Sequence, residues 1–321
     1  MPTLYSRRAF VERAVGCLGL TLAAAEGLGA EEANASAVID THTHFYDPYR
    51  PQGVPWPPKE SRVLYRTVRP QDYRALPQPS AVAGTVVVEA SPWVEDNQWV
   101  LDLADREPFI LGYIGNLPVG TPECAGLLTR FSRHPVFRGL RVQGAALGPG
   151  LASREFMRDL AALAERGLVL DVVGTPAMLP DVARLSRALP RLTVVIDHLA
   201  GVNLATGTPA ASWRRDLAEA ARGERVVAKV SGLPEATGRT DGSAPRDEAA
   251  YRPALDVLWE LFGAERLVYG SNWPVCELFS DLATVQRLTL AFCARHEAAA
   301  LARIMRTNAI GVYGLKPGKS A

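Results

Sequence analysis

The stretch Val38-Ile39-Asp40-Thr41-His42-Thr43-His44 decides how this chain is read. Val38 and Ile39 are apolar and β-branched, so the segment opens as a buried strand. It closes in polar residues, as a strand does when it runs out into a mouth. His42 and His44 are two apart, which on a strand sets both imidazoles on one face. Two neutral imidazoles so placed can share a divalent cation. An arbitrary His-x-His is more often two polar residues opening a surface loop. Here the place of this strand in a repeating pattern favours a site.

Outward from that stretch, eight short apolar runs recur, at 38–44, 84–89, 109–114, 137–142, 168–173, 192–198, 226–231 and 266–272. Near-continuous apolar runs suit parallel strands covered on both faces. The spacers read as helices. Residues 155–166 carry Phe156, Leu160 and Leu163 on one stripe and stop at Gly167, a C-cap residue type. Residues 179–189 have Pro180 at the start and Pro190 just past the end. Residues 213–222 and 251–262 stop at Gly223 and Gly263. Strand and helix alternating eight times predict an α/β fold, a single-domain (β/α)8 TIM barrel over 38–315 with a short tail at 316–321. A doubly wound open sheet is the runner-up. It gives no reason for polar groups at every strand's C-terminal end.

Composition narrows the function. Hydrophobic residues make up 48% and charged residues 21% of the 321, ordinary for a globular core. A net charge of +1 gives no electrostatic case for nucleic acid or an acidic membrane as partner. A small-molecule substrate is the expected partner, and a homo-oligomer stays open. No CxxC occurs, so Cys124 and Cys293 read as isolated thiols and Cys276 as packing. At the front, Ser6-Arg7-Arg8-Ala9-Phe10 precedes an apolar run too short to span a bilayer. Residues 1–37 therefore read as a twin-arginine-type signal and linker. The expected location is periplasmic or secreted, without a stable membrane anchor once the signal is removed.

Two loops stand out. Residues 46–70 hold six prolines with Trp56 and Tyr65 and follow the first strand. They read as a stiff lid over the mouth, or equally as a loose surface loop. Residues 234–246 are rich in Gly, Thr and Ser and read as mobile.

Active sites of such barrels lie where the strands end. The polar residues there are His42, His44, Glu89, Asn116, Arg141, Asp171, His198, Lys229 and Asn272. Three of the five histidines fall in this set. His134 and His296 sit at predicted helix ends and read as solvated. His42, His44 and His198 can complete a three-nitrogen site for a divalent metal. Zinc comes first because nitrogen dominates, with manganese also tolerated. Such a metal lowers the pKa of its water to about 7. Asp40 and Asp197 read as supporting groups on the opposite strand face. Arg141 and Lys229 can grip a substrate carboxylate or polarise a carbonyl, or pair structurally. Trp273 and Trp93 can stack on a substrate ring or seal the mouth.

Five motifs together carry a resemblance: Asp40-Thr41-His42-Thr43-His44, Val195-Ile196-Asp197-His198-Leu199, Lys229-Val230-Ser231-Gly232-Leu233, Tyr269-Gly270-Ser271-Asn272-Trp273-Pro274-Val275, and 308–314. In this order they resemble the amidohydrolase-related metal-dependent hydrolases. Within these they are similar to the sugar-acid lactonase and pyrone-dicarboxylate lactonase branch. The resemblance implies a (β/α)8 barrel that hydrolyses a lactone or amide carbonyl, with metal positions at His42, His44 and His198. It departs at Asn272, where many relatives carry Asp. A carboxamide has no basic site near neutral pH and binds hard cations poorly. Glu89 stands where lactonase relatives commonly show Gln, so one carboxylate is gained where one is lost. Leu199-Ala200-Gly201 replaces a frequent Gly-Lys-Pro. The catalytic set is thus Glu89, His198 and Asn272, with the base open between Glu89 and a histidine. Two other readings remain: a catalytically impaired barrel that binds small acids, and a decarboxylase-type lyase.

Overall fold

The computed structural model describes residues 38–316, and the segment read as an export signal lies outside them. Eight parallel strands run in sequence order: β1 Val38–Thr43, β2 Val82–Val88, β3 Ile110–Gly115, β4 Phe137–Gln143, β5 Val169–Val173, β6 Thr193–Ile196, β7 Val226–Val230 and β8 Leu267–Tyr269. The open-sheet alternative fails at the seam. Beyond β8 the chain pairs with β1 by a parallel bridge between Thr43 and Trp273. His44 N donates to Trp273 O at 2.8 Å, and Asn272 N donates to His42 O at 2.8 Å. Closure therefore happens at the mouth, next to the residues of interest.

The helices fall where the patterns put them, within a residue or two. Arg154–Glu165 starts at Ser153, whose hydroxyl accepts from Phe156 N, an N-cap bond that meets an otherwise orphan donor. Leu179–Ala188, Ala211–Ala221 and Arg252–Phe262 follow in turn. Their apolar faces and the outer faces of the strands form one large core. A second core lies inside the barrel, built from Ile39, Val86, Val88, Ile114, Val169, Val195, Val227 and Val268. Tyr313, on the C-terminal helix Asn308–Tyr313, joins it as a plug. No helix among the described residues is long and apolar enough to cross a membrane.

The inner core tells which strand positions face the lumen. Period two then carries Val169, Val195 and Val227 on to Asp171, Asp197 and Lys229. Strict alternation from Ile39 would turn His42 and His44 outward. A bulge prevents that: from Asp40 to Thr43, β1 advances three residues while β2 advances two, from Thr85 to Val87. The extra residue shifts the parity of the strand. Asp40 stays on the outer face, bonded to the Tyr73 hydroxyl at 2.8 Å. Both imidazoles turn in.

The long loop is a packed excursion. Tyr46 and Val68 exchange backbone bonds at 3.1 and 2.9 Å, and Arg50 pairs with Asp96. This favours the lid reading over the loose one, because the loop's base is pinned like a short ladder.

Candidate active site

The floor of the site is a charge cluster. Lys229 is fully buried, and its Nζ meets Asp171 Oδ2 at 2.5 Å, Asp197 Oδ1 at 2.9 Å and His42 Nδ1 at 3.2 Å. An ammonium has three donors, and here each has a neighbour. Below, the Tyr313 hydroxyl donates to Asp171 at 3.3 Å. Burial pushes Asp171 up to about 7 against the pull of Lys229. Asp197 is held well below the usual carboxylate range because Lys229 and His42 outweigh its burial. The same two carboxylates outweigh burial at Lys229 and keep it protonated. Lys229 and Asp171 therefore do not reach substrate from the rim. Lys229, expected as a substrate grip, is spent on a structural ion cluster one layer down. Asp197, expected on the opposite strand face, points inward.

Above the floor stand the three histidines. The rings of His42 and His198 are 4.3 Å apart, and those of His42 and His44 are 5.0 Å apart. His198 follows Asp197, so alternation alone would send it outward. It is turned back because His198, Leu199, Ala200 and Gly201 all adopt left-handed backbone, with φ of 49°, 49°, 55° and 65°. Such a run costs roughly 1–2 kcal/mol per non-glycine residue and persists where surroundings enforce it. Gly201 has no alternative, because a Cβ there would strike the Gly174 carbonyl.

Each imidazole has its Nδ1 engaged. His44 Nδ1 meets Val88 O at 2.9 Å, His198 Nδ1 meets Ser231 Oγ at 3.0 Å, and His42 Nδ1 meets Lys229. A carbonyl only accepts, so His44 carries its proton on Nδ1 and presents a bare Nε2 lone pair. Burial pushes His44 down to about 3 and His198 to about 4, and takes His42 well below its ordinary value. All three are neutral at pH 7.

The mouth is a cavity of about 670 Å³, lined by His44, His198, Asn272, Glu89, Arg141 and Trp56 among others. Glu89 and Arg141 are paired: Arg141 Nε donates to Glu89 Oε1 at 2.9 Å, and Nη2 donates to the Glu89 carbonyl at 2.8 Å. Burial raises the Glu89 carboxyl and Arg141 pulls it back. The pairing considered for Glu89 is thus present, with both groups still facing the cavity. Asn116 also lines it. Trp273 does not. Its indole donates to Glu277 at 2.7 Å and it packs edge-on against Tyr73, so it seals the barrel wall. Trp93 is 42% exposed and leans on Arg50. Trp56, from the proline-rich loop, stands edge-on to His44 with ring centres 5.9 Å apart. His296, expected to be solvated, stacks on Trp259 at 3.6 Å. His134 pairs with Asp105, and Cys276 is buried packing.

Asn272 also has left-handed backbone, with φ of 59°. Its Oδ1 lies 3.3 Å from His44 Nε2, and its Nδ2 donates to Glu235 Oε1 at 3.1 Å. Glu235 lies in the segment expected to be mobile, yet its short helical turn Glu235–Thr237 is anchored here. Burial pushes its carboxyl up to about 7, and its Oε2 has no hydrogen-bond partner among the described residues. Leaving such an oxygen unmet costs about 1–3 kcal/mol. Nothing in the loop's composition singled Glu235 out. Asp197, by contrast, follows from counting two on from Val195.

Among the described residues, His42, Asp197 and His198 form the group with metal-ligand geometry, each offering an atom within 4.8 Å of the others. Among the described residues His42 Nε2 and Asp197 Oδ2 lack hydrogen-bond partners, while Asp197 Oδ1 is held by Lys229. Two imidazoles and a carboxylate suit zinc, and these orphaned atoms fit such an ion. Ligation through His42 Nε2 would set the ring proton on Nδ1, facing Asp197 Oδ1 at 3.5 Å, in place of the bond that Nδ1 accepts from Lys229. Of the expected trio, His42 and His198 fall in this group with Asp197, and His44 stands outside it, next to His42.

The family model described as amidohydrolase matches residues 39–315. An L-fucono-1,5-lactonase of Burkholderia ambifaria is 32% identical over 246 residues, covering 75% of this chain and 81% of that protein. Another, from Burkholderia multivorans, is 30% identical over 257 residues, covering 78% and 86%. The crystal structure of a Burkholderia multivorans amidohydrolase with bound zinc is similar with a TM-score of 0.79 at 29% identity, covering 87% of this chain and all of that one. The chain belongs to the amidohydrolase family and is a hydrolase.

Proposed function

We propose that this amidohydrolase opens the cyclic ester of a sugar-acid-type lactone. One observation carries the reading: neutral imidazoles, each tied to the scaffold at Nδ1, converge beside a single cavity whose cation is already paired to a carboxylate. A divalent ion, zinc first, would be held by His42, Asp197 and His198, with His44 beside them. When bound it would polarise a carbonyl and supply hydroxide near neutral pH.

The chain's own residues do the rest. Arg141 Nη1 makes no bond among the described residues, so it can donate to the ring carbonyl or to a hydroxyl. Paired with Glu89, Arg141 is partly neutralised and suits a polyhydroxy ring. Two groups at the cavity can take the proton of the attacking water, Glu89 and His44, because His198 is taken up as a ligand. Trp56 offers a wall for the ring, in a cavity of ordinary size for a small ligand. A second reading, a barrel that binds small acids without turnover, is favoured by Asn272 alone, which has no basic site.

Export through the twin-arginine route, on Ser6-Arg7-Arg8-Ala9-Phe10, is also proposed. One experiment addresses all of this. The full chain is expressed, the cells are fractionated, and each fraction is analysed for zinc and assayed for acid release from sugar lactones and aryl esters. Periplasmic activity on lactones above esters is expected, falling roughly 10²–10⁴-fold in whichever of E89Q or H44N removes the base. No acid from any lactone by zinc-loaded protein sinks the hydrolase reading. A purely cytoplasmic product sinks export.

A further inference from the structure

Among the described residues, most buried carboxyl oxygens meet strong donors. Asp40 takes the Tyr73 hydroxyl and the His42 and Ser271 amides, Asp171 takes Lys229, and Glu248 takes Arg252 and Arg295. Glu235 has a carboxamide for a partner at one oxygen and none at the other. An arrangement this unfavourable for stability is the kind retained at functional sites.

The hydrogen-bond chemistry says what it does. A carboxylate accepts and does not donate, so it draws the NH2 edge of Asn272 toward itself. That leaves Asn272 Oδ1 aimed at His44 Nε2, 3.3 Å away. His44 Nε2 is a lone pair, because Nδ1 spends its proton on the Val88 carbonyl. Two acceptors that cannot bond each other therefore lie side by side, and both residues line the cavity. We propose that Glu235 is a positioning residue. It turns the amide edge of Asn272 away from the cavity, so that Asn272 Oδ1 and His44 Nε2 together receive one hydrogen-bond donor, the attacking water or a lactone hydroxyl. The identity of the donor rests on the lactone reading; the orientation of the amide does not. It follows that Asn272 and Glu235 are a matched pair. Aspartate at 272 would face the carboxylate of Glu235 at hydrogen-bond distance.

The test is a double-mutant cycle on the intact protein. In E235Q either edge of the new amide can face Asn272, and the orientation is no longer fixed. E235Q is expected to lower kcat about tenfold with KM within twofold and the melting temperature not lowered. N272D is expected to lower kcat by as much or more. N272D/E235Q restores the complementarity with donor and acceptor exchanged, and is expected to return kcat to within about threefold of wild type. Wild-type kcat in E235Q, or losses that multiply in the double variant, would overturn the proposal. Should wild type open no lactone, ¹⁵N spectra of His44 still decide. A shift of the Nε2 resonance in E235Q supports the amide orientation, and an unmoved resonance overturns it.

Discussion

The floor and the rim of this barrel mouth solve opposite problems with the same residue types. On the floor, Lys229 meets Asp171, Asp197 and His42, and Tyr313 closes the cluster from beneath. Its ammonium has a neighbour for each proton, and no part of Lys229 is exposed. At the rim, a few ångströms higher, Glu235 has an oxygen without a partner, and Asn272 and His44 turn acceptor to acceptor. A buried cluster whose charges balance resists change. One whose donors and acceptors do not balance is built to receive something. The contrast teaches where to look for a ligand: not where charge is densest, but where the polar bookkeeping stays open.

The largest effect should come from breaking the floor. Lys229→Met leaves Asp171 and Asp197 buried without their cation, and removing one partner of such a cluster costs about 3–5 kcal/mol. The urea midpoint should fall accordingly. An unmoved midpoint would mean that the floor is not held by charge and the contrast is empty.

The rim should respond the other way. The folded Glu235 carboxyl lies near 7, raised by burial from an ordinary 4.5. Between those values the folded state holds a proton that the unfolded chain has released, so this group's contribution to stability is lost as pH rises through 7. E235Q should therefore be more stable than wild type at pH 8, by about 1–3 kcal/mol, with the gap closing as pH falls toward 4.5. Denaturant titrations at several pH values read this directly. A variant less stable than wild type at pH 8 would make Glu235 part of the floor in all but position.

The smallest effect concerns the lid. Trp56 touches the cavity from a loop that is pinned at its base. Trp56→Ala should raise KM several-fold with kcat unchanged, a loss of about 1 kcal/mol of uniform binding. A fall in kcat instead would place Trp56 in the chemistry and extend the rim into the loop.

Much of the fold was legible in the chain because parallel strands buried on both faces must be apolar almost throughout, and eight such runs stand out. The spacing of His42 and His44 was legible for the same geometric reason. Their inward direction was not. It depends on a bulge that shows only in the register of β1 against β2. Lys229 was misplaced because a strand's last residues look alike whether they rim a cavity or lie one layer under it. Trp273 kept two readings, stacking or sealing, for a related reason, since an aromatic after a strand can face either side of the wall, and the structure takes the sealing one. Glu235 gave no signal, because its partner Asn272 lies thirty-seven residues away.

The sequence by itself determined the repeating strand-helix order and the gathering of histidines at strand ends. These follow from local periodicity, which any segment carries within itself. Only the tertiary structure decided that β1 and β8 join at the mouth, that the left-handed turn after Asp197 swings His198 back, and that Glu235 reaches Asn272. Each of these is a contact between distant segments, and its energy exists only once the barrel has closed around it.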